Sequence, residues 1–250
     1  MDLVFRVTEG TPTVTSFPIN NENCFAPASE TQPVRPGESL TWHVSGSPGA
    51  VVNFSASRIA FSGGHLHSGG PTGHYSPNPV KLIGPYPQNA LVTFKAPKVG
   101  GTIVTTITWH FEDGGQPIVT KTFTRVTIPD LVELAGGSGM VLTGATELHP
   151  SNHYATSLFL QKLSDLASSF HDQFKKVIFV NDIALEDGGL FDIHGDWHTP
   201  HKTHNTGQIV DVNSTSMTKG ERVWFRNKCA ELGFTTLLES DPPHWHVTLA

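Results

Sequence analysis

The apolar residues of this chain change their period partway along, and that change limits what each half can fold into. Up to about residue 128 the runs "LVFRVT", "SLTWHVS", "VVNFSAS", "LVTFKAP", "TIVTTITWHF" and "IVTKTFTRVTI" are β-branched and aromatic, several alternate, and Pro, Gly, Asn and Asp punctuate them. None of these runs has helical spacing. "FEDGGQP", between the last two, reads as a hairpin loop. Short strands separated by turn signals predict an all-β sandwich of immunoglobulin-like architecture over residues 1–130. The Cys–Trp–Cys pattern of antibody domains is absent, so the expectation concerns architecture alone.

"IPDLVELAGGSG" reads as the junction, and residues 131–147 as a linker. Beyond it, Leu158, Phe159, Leu163, Leu166, Ala167, Phe170 and Phe174 recur at helical spacing, with Thr156 or Ser157 as N-cap. "KVIFVND" follows as a buried strand. "TKGERVWFRNKCAELG" predicts a second helix, with Thr218 and Glu221 in a capping box and Gly233 just past the end. "HWHVTL" reads as a terminal strand. The half from 148 to 250 is therefore expected to be an α+β domain with a small antiparallel sheet.

With 250 residues, 37% hydrophobic, the chain is long enough for a sizeable core. A net charge of −6 offers no basic footprint for nucleic acid, and no run approaches the roughly 20 apolar residues of a membrane span. The first residues, "MDLVFRVTEG", do not read as a signal peptide. Cys24 and Cys229 are expected to be free thiols.

Histidine is the anomalous count. There are 14, and nine fall after residue 148. Within "PHKTHNTGQIVDV", Asp211 sits among Ile209, Val210 and Val212. A carboxylate in such a place is costly unless paired or bound to a metal. His204 lies on the preceding loop and converges with Asp211 if Gly207 permits the turn. In "PHWHV", His244 and His246 are two apart on a strand, so they share a face and Trp245 points away. Two imidazoles and a carboxylate with one position left for water is the pattern of a catalytic zinc site.

"PHKTHNTGQIVDVN" with "PPHWHVTL" resembles the penicillin-insensitive murein endopeptidases, within the wider group of zinc D-Ala-D-Ala metallopeptidases and lysostaphin-type peptidases. "NHYATSLFLQKLSDLA" and "VIFVNDIALEDGGLF" resemble the helix, strand and Gly-Gly loop that lead into that family's site; the similarity covers roughly 148–250. The resemblance implies one Zn2+ per chain on His204, Asp211 and His246, with His244 as a non-ligand catalytic histidine and His201 as an additional one. D-Ala-D-Ala-type relatives carry a catalytic glutamate three residues before the last ligand. Here that position is Pro243, which leaves the proton acceptor open among His244, His201 and Asp241.

Other residues carry more than one reading. "GGLFDIHGDWH" offers Asp192, His194, Asp196 and His198 as second-shell or substrate groups, or as a solvated loop. His153 is a cleft residue or a satisfied histidine of the cap region. Trp197 and Trp245 line a substrate groove or, for Trp245 above all, pack in the core. "SGGHLHSGGPTGHYSP" holds His65 and His67 as a candidate second metal pair with His74 close by. It reads equally as a flexible loop or as one that shapes the cleft, and no carboxylate is near in sequence.

The resemblance implies a zinc metallopeptidase that hydrolyses an amide in a peptide, in a peptidoglycan stem or cross-link, working in a periplasm, at a cell surface or in secretion. The competing reading is a non-catalytic extracellular binding protein with a structural or vestigial zinc site, in which the β-sandwich binds glycan or protein.

Overall fold

The computed structural model describes residues 4–7, 29–30, 33–46, 49–83, 88–111, 116–198 and 203–250. Cys24, His201 and the centre of the "FEDGGQP" loop lie outside the described residues. The chain forms two compact units, Met1–Ile59 with Gly69–Thr127, and Ala60–Ser68 with Ile128–Ala250. It is mostly β-sheet, with two helices among the described residues.

Among the described residues the first unit holds nine strands: β1 (Val4–Val7), β2 (Ser29–Glu30), β3 (Ser39–Gly46), β4 (Ala50–Arg58), β5 (His74–Ser76), β6 (Val80–Lys81), β7 (Gln88–Lys95), β8 (Gly101–Phe111) and β9 (Ile118–Val126). They form a four-stranded sheet in the order β1-β3-β7-β5 and a five-stranded one in the order β2-β9-β8-β4-β6. Alternation along β8 buries Ile103, Thr105, Ile107 and Trp109 while the residues between them stay partly exposed. These meet Trp42, Val92 and Phe94 of the other sheet in one core. The Thr105 hydroxyl, polar within that core, is satisfied by Tyr75 Oη at 2.5 Å.

The second unit holds β10 (Leu131–Glu133), β11 (Met140–Leu142), β12 (Tyr154–Thr156), α1 (Ser157–Phe174), β13 (Ile178–Val180), β14 (Ile209–Asn213), α2 (Lys219–Glu231), β15 (Phe234–Ser240) and β16 (Pro243–Leu249). Its main sheet runs β11-β13-β14-β16-β15. The β11–β13 pair is parallel, so the sheet is mixed and not purely antiparallel. The linker expected at 131–147 is likewise part of this unit. β10 pairs with β12, β11 pairs with β13, and Leu134 and Met140 are buried in the core. Three-residue strands between glycines look like loop in sequence. Ala60–Ser68, expected within the sandwich, also belongs here.

α1 buries Phe159, Leu163, Leu166, Ala167 and Phe170, as its spacing predicts, whereas Leu158 stays exposed. Thr156 is its N-cap by position, without a side-chain cap. α2 begins with the predicted capping box: Thr218 Oγ1 accepts from the Glu221 N–H, and Glu221 Oε2 accepts from the Thr218 N–H at 2.7 Å. Phe170 meets Trp224 and Phe225, joining the helices through aromatic edges.

Period two then sorts the strands that matter most. On β14 and β16, Val210, Val212, Trp245 and Val247 face this core. Asp211, His244 and His246, one residue out of phase, occupy the other face of the sheet. No helix among the described residues is long and apolar enough to cross a membrane.

Candidate metal centre

Antiparallel pairing puts Asp211 directly opposite His246. Their side chains meet on one face, with His246 Nδ1 3.0 Å from Asp211 Oδ1. His204 arrives from the loop before β14, and its Nε2 lies 3.2 Å from Asp211 Oδ2. The turn between them uses Gly207 at φ +70, the left-handed region that glycine enters freely. A Cβ there would sit 2.4 Å from Leu131 Cδ2 and 2.8 Å from Ala155 Cα. Gly188 and Gly189 hold the same loop from another side, the Gly189 N–H donating to Asn205 O at 2.8 Å.

The donor atoms of His204, Asp211 and His246 all lie within 4.8 Å of one another. Zinc bonds of about 2.0–2.1 Å in a tetrahedron separate ligand atoms by roughly 3.3 Å, and the contacts of 3.0 and 3.2 Å, one to each oxygen of Asp211, are near that spacing. His204 Nδ1 donates to the Ile183 carbonyl at 3.2 Å, which turns Nε2 towards Asp211. Donor chemistry, spacing and outer-shell support all fit zinc. His204, Asp211 and His246 offer three donors, Glu239 and His244 also converge with His246 within 4.8 Å of one another, and the His246 side chain is 17% exposed, whereas His204 is buried.

The charge at the centre is set locally. Burial pushes the Asp211 carboxyl up, but His204 and His246 outweigh it and hold the group well below the ordinary carboxylate range. The bond to Asp211 raises the His246 imidazole, against desolvation.

His244 lies on the same face, two residues along β16. Its Nδ1 donates to Pro242 O at 2.7 Å, which leaves Nε2 facing the centre. Nε2 stands 3.6 Å from Asp211 Oδ2 and 3.5 Å from Glu239 Oε2. Sequence reasoning missed Glu239. Counting outward from the turn at 241–242 would have found it, since β15 and β16 form a hairpin that places Glu239 opposite His244. It also missed Asp182, whose carbonyl accepts the Asp211 N–H at 3.0 Å. Burial raises the Asp182 carboxyl to about 6, with His204 drawing it down and Asp211 pushing it up.

The remaining candidates separate. Trp245 is 5% exposed and stacks on Phe225, so it is a core residue and lines no groove. His153 is buried, contacts the Thr143 carbonyl through Nε2 at 2.8 Å, and is lowered by desolvation. The His198 side chain is 87% exposed and contacts Asp196. Asp192 does not support this centre: with His65, His67 and His149 it forms a second cluster within the same unit.

No protein-family model matches the chain, and no curated protein matches it. Among solved structures, a family 123 glycoside hydrolase from Clostridium perfringens, described for glycolipid glycan hydrolysis, aligns at a TM-score of 0.23 with 12% identity. The alignment covers 46% of this chain and 25% of that one, so the chain spans about a quarter of its length. A likeness at that level assigns neither fold nor activity.

Proposed function

We propose that the second unit is a zinc-dependent peptidase and that it hydrolyses an amide in a peptide, in the peptidoglycan stem or cross-link that the family resemblance implies. We read the first unit as an immunoglobulin-like sandwich, and the site of action as outside the cytoplasm. One observation carries the catalytic reading. His204, Asp211 and His246 bring three donor groups together on a partly exposed face, and a fourth histidine, His244, turns Nε2 towards them.

His204, Asp211 and His246 would hold a zinc ion, which when bound would supply a Lewis acid for the scissile carbonyl and lower the pKa of a water to about 7. His204 brings its donor from a loop and His246 from β16, and Asp211 would compensate the cation's charge. His244 Nε2 holds a proton taken at the centre and delivers it to the leaving amine. Glu239 Oε2, 3.5 Å away, stabilises the imidazolium that this creates. The core face of the sheet, with Val210, Val212 and Val247 buried, keeps water from the other side.

The test compares metal content and hydrolysis of purified peptidoglycan, followed by mass spectrometry of the released fragments. Asp211→Ala should lose the cation of this centre and all turnover. His244→Ala should keep the cation and lose turnover by about 10²–10⁴, the range for a positioned acid–base group. Loss of the cation in His244→Ala would refute the ligand assignment. Intact peptidoglycan under zinc-loaded wild type would refute the substrate.

A further inference from the structure

His65 and His67 are brought to His149 and Asp192, residues distant in sequence but in the same unit. His65 Nδ1 lies 3.3 Å from His67 Nε2, 3.2 Å from His149 Nε2 and 3.1 Å from Asp192 Oδ1. Asp192 Oδ1 in turn lies 3.5 Å from His67 Nε2 and 3.2 Å from His149 Nε2. Four donor atoms on bonds of about 2.0–2.1 Å would stand roughly 3.3 Å apart at the corners of a tetrahedron. Five of the six edges lie between 3.1 and 3.5 Å, and the sixth is within 4.8 Å.

Hydrogen bonding does not account for this convergence. One imidazole nitrogen carries one proton or one lone pair, yet His65 Nδ1 has three polar atoms at near-equal distance. Asp192 Oδ1 accepts no aligned hydrogen bond, although two imidazole nitrogens approach it within 3.2 Å. Among the described residues the outer nitrogens of His67 and His149 find no hydrogen-bond partner, so these rings are oriented by the centre they face. Three inward protons would repel one another, as would three inward lone pairs beside a carboxylate. A cation at the middle removes both conflicts.

The surroundings are built for that arrangement. The side chains of His65, His149 and Asp192 are at most 1% exposed, and that of His67 is 11% exposed. Asp192 Oδ2 is tied by the Trp197 N–H at 2.7 Å, which aims Oδ1 at the histidines. The Trp197 ring covers His67 at 4.3 Å and His65 at 4.9 Å between centroids. The Leu66 N–H donates to Leu148 O at 2.8 Å, which sets the HxH segment alongside His149.

We propose that His65, His67, His149 and Asp192 bind a second divalent cation of the zinc class. The site is closed, with four protein ligands, and it is structural: it fixes the 60–68 loop to the rest of the second unit. This inference does not depend on the peptidase reading.

The test uses the full chain with Asp211→Ala, which removes the first centre and leaves this one whole. After exposure to zinc and desalting, that variant should retain one equivalent where wild type retains two. Loaded with cobalt, it should show the intense visible bands of four-coordinate Co2+. Adding His149→Ala should bring the count to zero. Wild-type protein stripped by chelator should also be cleaved by chymotrypsin at Phe61 or Leu66, and zinc should suppress that cleavage. No cation in zinc-exposed Asp211→Ala, six-coordinate cobalt, or an unchanged equivalent after His149→Ala would each overturn the proposal.

Discussion

Replacing Gly207 by alanine should damage the fold and the metal centre together. Gly207 is three residues after His204 and four before Asp211, at φ +70. An alanine held there pays about 1–2 kcal/mol for the left-handed conformation. Its Cβ would also stand 2.4 Å from Leu131 Cδ2 and 2.8 Å from Ala155 Cα. The leucine end can swing aside. The Ala155 backbone cannot, because it is paired in β12 against Val132 of β10, and the neighbouring Thr156 N–H donates to Gly207 O at 3.1 Å. Overpacking of that kind adds about 1–3 kcal/mol. The sum, roughly 2–5 kcal/mol, is a large part of the 5–15 kcal/mol that holds a typical domain. The chain can escape part of the cost by letting the loop move, and that movement carries His204 away from Asp211. Gly207→Ala should therefore lower the unfolding temperature by roughly 10 °C, on the scale of about 2–4 °C per kcal/mol for a chain this size. It should also weaken zinc binding at this centre at least tenfold, about 1.4 kcal/mol. The assays are calorimetry of the metal-free protein and competition against a chromophoric chelator. Gly220→Ala is the control, since a Cβ there meets nothing within 4 Å and α2 gains a better helix former. A Gly207→Ala variant with wild-type unfolding and wild-type zinc affinity would refute the claim that this turn brings the ligands together.

Two further outcomes follow from buried titrating groups. Asp182 takes up its proton near pH 6 in the folded metal-free chain and near 4 when unfolded. The folded state therefore binds more protons between those values, so stability falls as pH rises across that window, by up to roughly 3 kcal/mol. Asp182→Asn should remove this slope, leaving stability unchanged at pH 4 and raising it at pH 7 in urea titrations; a wild-type slope in the variant would count against the assignment. Burial pushes the Cys229 thiol up to about 12, and the side chain is fully buried on α2. In a Cys24→Ser background at pH 8, alkylation of native Cys229 should be roughly 10³-fold slower than after unfolding, since an ordinary thiol near 8.5 is about a quarter ionised there. Alkylation at the unfolded rate would show that the helix face is open.

Much of this was legible because periodicity is local. Alternation marked the long strands of the first unit, and helical spacing and the capping box marked α1 and α2, since each signal needs only neighbouring residues. The same rule put His244 and His246 on one face and Trp245 on the other, where it packs on Phe225. The mixed sheet was not legible. β11 and β13 are three residues each and lie far apart in sequence, and a parallel pair leaves no hairpin signal. Membership of the 60–68 loop in the second unit was invisible for the same reason.

The second histidine cluster shows where sequence reasoning by proximity fails. His65 and His67 drew notice as a pair, and the lack of a nearby carboxylate counted against a metal. Nearness along the chain is the wrong criterion for a buried site. Its charge balance is set by whatever the fold delivers, here Asp192 from a loop more than a hundred residues away. Asp192 was itself read as a supporting or substrate group of the other centre, or as part of a solvated loop, because its segment lies just before the His204 stretch in sequence. The two clusters also differ in the property that separates catalysis from scaffolding. Around Asp211 three donor groups lie on a partly exposed face, with the His244 imidazole beside them. Around Asp192 there are four, under the Trp197 ring. An open position is what admits a substrate carbonyl, and a filled one is what makes a cation a cross-link. On the two proposals made above, the His204 loop and the 60–68 loop would use the same donor chemistry for opposite ends, with the number of protein ligands, not their type, deciding between them.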